Sequence, residues 1–258
     1  MKFGVIILLL AAVVPSFSQT SKSMACEKRP LFNIKRVIAW STPSDVPAFF
    51  YNADLAVDAD GAFKAYHPED RPGLDALAHA GHPGNWWALV TTNGERSGRP
   101  VVQRQSDPAP GYYVSTTALY DPKNQNPRDP HRYVDANTIP YIVLPPQALK
   151  HARLGDFATV LNLENGRISG AIVADESLEF PDRIGEGSIA LARAVGVDPD
   201  PRHGGKEGGG VVYLVYPGSG NGSPRTLKDV IANSQRLFER WGGLDKLNAC
   251  LGTNVKVR

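Results

Sequence analysis

Residues 157–175 read FATVLNLENGRISGAIVAD, two apolar runs joined by Glu164, Asn165 and Gly166. Each run is short, rich in β-branched residues and bounded by turn formers, which predicts strands over residues 157–163 and 168–175. Asn-Gly supplies the positive φ angles of a tight turn, so the pair reads as an antiparallel hairpin. The pattern recurs outward: VIAW (37–40), FFYNADLAV (49–57), WWALV (86–90), YYVST (112–116), YIVLP (141–145) and VVYLVYP (211–217) all read as strands. Two helices are expected. One covers 188–196, from a capping Ser188 to Gly196; the other runs from Thr226 to Trp241, with Asp229 completing a box and Gly242-Gly243 stopping it. The 25 glycines and 21 prolines in 258 residues fit many short elements joined by turns. The expected fold is mainly β (α+β): a single barrel-like or sandwich domain with a few peripheral helices.

The amino-terminal segment reads as an export signal, not as fold. Lys2, an apolar run over residues 5–14 and small residues at Ser16 and Ser18 predict a signal peptide over 1–18, leaving a mature domain over 19–258. The run is too short to span a bilayer, so no stable membrane association is expected once it is removed. Export to an oxidising compartment makes the two cysteines, Cys26 and Cys250, candidates for one disulfide near the two ends of the mature chain. On the chain-entropy account such a long loop contributes ~4–5 kcal/mol. The 28 basic and 26 acidic residues nearly balance, which gives no support for a nucleic-acid binder. The protein is expected to be secreted and monomeric.

Charge is uneven along the chain. Residues 173–188, VADESLEFPDRIGEGS, hold Asp175, Glu176, Glu179, Asp182 and Glu186 against Arg183 alone. Most acidic clusters are solvated loops. Here Asp175 ends a strong apolar strand, and Glu186 lies between two glycines, where the backbone permits close approach by a ligand. Two carboxylates brought in from the ends of one loop can flank a glycosidic bond, one protonated to assist the leaving oxygen and the other ionised to activate water or attack carbon. Their spacing in sequence does not choose between inverting and retaining chemistry. The dipole of a helix starting just after Glu186 favours its ionised form, which leans toward Glu186 as base and Asp175 as acid.

From residue 133 to 243 the chain resembles the fungal-type chitosanases of glycoside hydrolase family 75. The resemblance rests on YVDANTIPYIVLP, GDFATVLN, AIVAD, GEGSIALARAVG, GGGVVYLVYPGSG and the helix ending RWGG, in that order. The earlier PAFFYNADLAVDADGAFKAYHP (47–68) is similar more loosely. The resemblance implies a double-psi type of barrel, inverting endo-cleavage of chitosan without a cofactor, and catalytic roles for Asp175 in AIVAD and Glu186 in GEGS. It departs after Asp175, where ESLEFPDRI replaces the family's compact Val-Gly-Pro turn, and residues 67–107 have no place on the pattern.

A polycationic substrate suits a carboxylate-lined cleft, so Glu176, Glu179 and Asp182 are candidate substrate-binding residues. Trp86 and Trp87 are candidate sugar-stacking residues; adjacent positions on a strand face opposite ways, so one of them belongs to the core. Asp58 and Asp60 in DADG read as a turn rather than a calcium loop, and no metal site is expected. The histidines, His79 and His82 included, read as surface or packing residues. Rival readings are a peptidoglycan-cleaving enzyme using the same acids and a non-catalytic carbohydrate-binding or wall-loosening protein.

Overall fold

The computed structural model describes residues 26–257, so the signal segment expected over 1–18 lies outside the described residues. Among the described residues ten strands form: β1 (Arg29–Ile34), β2 (Val37–Ser41), β3 (Phe49–Asp58), β4 (Gly81–His82), β5 (Asn85–Trp86), β6 (Tyr141–Leu144), β7 (Phe157–Asn162), β8 (Ile168–Glu176), β9 (Glu186–Ser188) and β10 (Lys206–Val215). Four α-helices accompany them among the described residues: α1 (Pro146–Leu149), α2 (Ile189–Ala194), α3 (Leu227–Trp241) and α4 (Gly243–Leu251).

The hairpin of residues 157–175 is present, with β7 and β8 in antiparallel register from Phe157 opposite Ile172 to Leu161 opposite Ile168. It lies within a ring of pairings, β3–β10–β7–β8–β6–β9 and back to β3, which closes a six-strand barrel. Four of these pairings are antiparallel; β6–β8 and β3–β9 are parallel. The β1–β2 hairpin extends the sheet from the start of β3, where Trp40 meets Phe50 and Ser41 meets Phe49.

Alternation along the strands separates an inside from an outside. Tyr51, Ala53 and Leu55 of β3, Val160 of β7, Val173 of β8, Ile142 of β6 and Tyr213 of β10 fill the barrel. One outer face, with Phe50, Leu161, Val212 and Leu214, is covered by α3 and α4 through Trp241 and Leu247. The other outer face, with Tyr141, Val143, Ile172 and Ala174, is covered by the long excursion over residues 59–140 through Ala62, Tyr66, Trp86 and Leu119. Burial of these faces supplies most of the driving force for the fold.

Both expected helices form. Thr226 Oγ1 accepts the Asp229 N–H at 3.2 Å and caps α3. Ser188 Oγ accepts the Leu191 N–H and caps α2. Gly242 ends α3 as expected, but its φ of 126° lets the chain turn straight into α4. Residues 86–90 and 112–116 are not full strands: only Trp86 lies in one, and isolated bridges such as Leu89 to Ser115 hold the rest. Their apolar residues pack as irregular chain over the barrel rather than extending its sheet.

The disulfide joins Cys26 to Cys250 on α4, with Cα atoms 4.8 Å apart. It ties the start of the described chain to the last helix. Among the described residues, no helix is long and apolar enough to cross a membrane.

Candidate active site

A cleft of about 850 Å³ opens between the outer face of β3, β9, β6 and β8 and the wall formed by residues 60–87. Among the described residues nine carboxylates and three Lys or Arg side chains line it. Asp175 and Glu186 are both there, and the barrel explains how they meet. Ala56 of β3 pairs with Glu186 of β9, Glu186 with Val143 of β6, and Val143 with Asp175 of β8. Paired residues on neighbouring strands face the same side, so this row aims both acids into one cleft.

A β-bulge places Asp175 in that row. Ile142 pairs with Val173, but Val143 pairs with Asp175, leaving Ala174 as the extra residue. Strict alternation would point Asp175 inward with Val173; the bulge turns it outward. The freed carbonyl of Ala174 accepts the Leu119 N–H at 2.8 Å, and Asp175 Oδ1 accepts the N–H groups of Ala118 (3.0 Å) and Glu176 (2.7 Å).

The glycines beside Glu186 serve the protein's own packing rather than a ligand's approach. A Cβ on Gly185, whose φ is +102°, would stand 2.6 Å from the Asp54 carbonyl oxygen. One on Gly187 would stand 2.6 Å from Leu191 Cδ2 and 2.8 Å from the Tyr141 carbonyl oxygen. Nor does the α2 dipole act on Glu186 as expected. That helix has only six residues, and its first turn is capped by Ser188. Burial first, and the nearby Asp58 charge second, push the Glu186 carboxyl up to about 8. Asp175 is also raised well above the usual carboxylate range by burial and by Asp58, against the pull of its two N–H donors.

Asp58 and Asp60 belong to the same site, which their turn-like sequence concealed. The turn is real: Asp58 Oδ1 accepts the Asp60 N–H at 2.8 Å. Yet Asp58, Asp60 and Asp175 each bring an oxygen within 4.8 Å of the others. Tyr141 Oη lies 2.9 Å from Asp58 Oδ2, and Tyr66 donates to Asp60 Oδ1 at 2.6 Å. Burial pushes Asp58 up to about 6, and burial with the Asp58 charge holds Asp60 well above its ordinary value. Three such oxygens could converge on a cation. The hydroxyl and amide donors already aimed at them supply a different compensation for the crowded negative charge.

The remaining candidates divide. Glu176, Glu179 and Asp182 all line the cleft. Glu179 pairs with Arg96, and Asp182 pairs with Lys35 at the β1–β2 turn, which holds its carboxyl below the usual range. Among the described residues Glu176 has no ion pair. Trp86 is only 8% exposed and packs in the core, so the expectation that it stacks on sugar is corrected: its ring is the one turned inward. Trp87 lines the cleft. So does His79, which sequence reading had assigned to surface or packing.

A family model described as fungal chitosanase of glycosyl hydrolase group 75 matches residues 100–242. No curated protein matches the chain.

Proposed function

This chain belongs to the fungal chitosanase family of glycosyl hydrolase group 75, and from that premise we propose that it is secreted and cleaves internal β-1,4 links of chitosan with inversion, using Asp175 and Glu186. That the enzyme is a glycoside hydrolase acting on a polysaccharide follows from the family; the mechanism is our reading. One observation carries it. The two acids face one cleft from strands on either side of β6, in the row through Val143. Two strand spacings separate their Cα atoms by roughly 9–10 Å. That separation suits the ~6.5–9.5 Å between carboxyl groups that leaves room for a water molecule better than the ~5–5.5 Å of retaining enzymes.

The environments favour Glu186 as acid and Asp175 as base, the reverse of the dipole argument. No described group donates a hydrogen bond to the Glu186 carboxyl, and its pKa near 8 keeps it protonated at mildly acidic pH. Asp175 has two N–H donors that stabilise its ionised form. Burial first, and Asp58 repulsion second, favour its neutral form, and a glucosaminium brought against Asp58 removes the second of these. Asp175 then takes a proton from a water molecule as the water oxygen attacks the anomeric carbon. The bond to the leaving oxygen breaks, and Glu186 protonates that oxygen. The excess of acidic over basic side chains lining the cleft would draw a polycation in.

Asp175→Asn and Glu186→Gln, made singly, should each abolish most turnover of chitosan in a folded protein. Early products followed by NMR should carry the α-anomer. A fully active variant at either position refutes the pair, and a β-anomer refutes inversion. Preferential release of sugar from peptidoglycan rather than chitosan would move the substrate assignment while keeping the acids.

A further inference from the structure

This inference rests on the chitosanase reading and concerns the cleft wall that precedes the family match, which begins at residue 100. There Asp75, only 3% exposed, holds Oδ1 2.8 Å from His79 Nδ1 and also accepts the Ala76 N–H at 2.7 Å. The segment bearing both residues is pinned from outside. The Arg202 guanidinium donates to the carbonyls of Asp70 (2.7 Å), Gly73 (3.2 Å) and Asp75 (2.8 Å). The Trp87 indole N–H donates to the His79 carbonyl at 2.9 Å. The His79 side chain itself is 57% exposed and lines the cleft, and no described group hydrogen-bonds to its Nε2. A fixed mount thus presents one free ring nitrogen to the cleft that holds the two acids.

With Nδ1 committed to Asp75, the protonated ring offers Nε2–H as a donor. The charged groups around it are Asp75 and Glu186, which favour the imidazolium, and Arg202, which opposes it; the Asp75 hydrogen bond dominates. Like Lys35, Arg36 and Arg183, the protonated His79 adds positive charge to a cleft whose excess of carboxylates suits a polycation. It cannot face a glucosaminium nitrogen without repulsion, so it must face a part of the sugar that carries no charge. We propose that His79 is a substrate-contacting residue whose Nε2–H donates to an uncharged sugar oxygen, a hydroxyl or an acetamide carbonyl, and that Asp75 is the residue that positions it.

The test uses the full mature protein with Glu186→Gln, so that oligomers stay intact, and compares an all-glucosamine hexamer with a partly N-acetylated one. At about pH 5.5 each bound hexamer that makes the contact should shift the His79 ring signals in NMR. His79→Ala should weaken its binding roughly tenfold, the scale of a hydrogen bond to a charged group. A hydroxyl acceptor predicts loss for both hexamers; an acetamide acceptor predicts loss for the acetylated one alone. Asp75→Asn should lower the His79 pKa read by NMR, which a merely structural aspartate would not do. Unchanged affinity for both hexamers in His79→Ala, ring signals indifferent to either, or no binding of either to the parent would overturn the proposal. Hydrolysis of chitosan by the wild-type enzyme is measured separately, and its absence would refute the chitosanase reading while the binding comparison still decides on His79.

Discussion

Glu186→Gln should make the protein more stable at neutral pH while removing its activity. The carboxyl rises from its ordinary 4.5 to about 8 on folding, chiefly through burial. Between those values the folded state holds more protons than the unfolded state, so stability falls as pH rises through the window. Below 4.5 both states are protonated and the residue contributes nothing; above about 8 the full penalty is present. Each pH unit inside the window is worth roughly 1.4 kcal/mol. From 4.5 to pH 7 that amounts to about 3 kcal/mol, because the folded-state carboxyl is still mostly protonated there. The amide cannot ionise and escapes the penalty. For a chain of this size, 3 kcal/mol corresponds to a Tm higher by about 6–12 °C. Thermal and urea unfolding of parent and variant, disulfide intact, at intervals from about pH 4 to pH 8 will read the difference directly. The two should coincide at the acid end and diverge steadily above it. Parallel curves, or a variant less stable at pH 7 than its parent, would refute the claim that burial strains this carboxylate.

Other outcomes follow from the same geometry. Glu176→Gln should raise KM for polymeric chitosan more than Asp182→Asn does, because Lys35 already offsets Asp182; steady-state kinetics at low salt will rank them. Trp86→Ala should destabilise the fold by roughly 3–5 kcal/mol, as expected for a buried aromatic, whereas Trp87→Ala should act mainly on KM, a contrast that unfolding and kinetic measurements together resolve. Gly187→Ala forces a methyl against Leu191 and the Tyr141 carbonyl; overpacking of this kind costs about 1–3 kcal/mol, and chemical denaturation will measure it. Replacing Cys26 and Cys250 with Ala frees a loop of 224 residues and should lower stability by about 5 kcal/mol on the chain-entropy account, read as a drop in the urea midpoint.

The hairpin of β7 and β8 was legible because its partners are adjacent in sequence and its turn has its own chemistry. So were α2 and α3, which carry caps and a helical period. β9 was not. Three residues, Glu-Gly-Ser, have no measurable period, and they are a strand only because β3 and β6 flank them. The bulge at Ala174 was equally hidden, since AIVAD reads as plain alternation. Asp58 and Asp60 were read correctly as a turn, and nothing local says that the turn faces Asp175. His79 depends on Asp75 four residues earlier and on Arg202 far along the chain, and that second tie is tertiary. The resemblance to the family is what singles out Asp175 and Glu186 in the sequence; their common direction is set by strand register.

Glu186 sits on the shortest strand of the barrel ring, held by three register pairs to β3 and two to β6. That strand is the seam, and a seam is where a closed sheet breathes first. Amides of residues 186–188 should therefore exchange with solvent faster than those of the β7–β8 hairpin. On the proposed mechanism catalysis needs the seam shut, and it should fail in denaturant before the rest of the barrel lets go. The enzyme's working limit is then a local opening, and strengthening the helices on the far face would raise its melting point without extending the conditions under which it turns over.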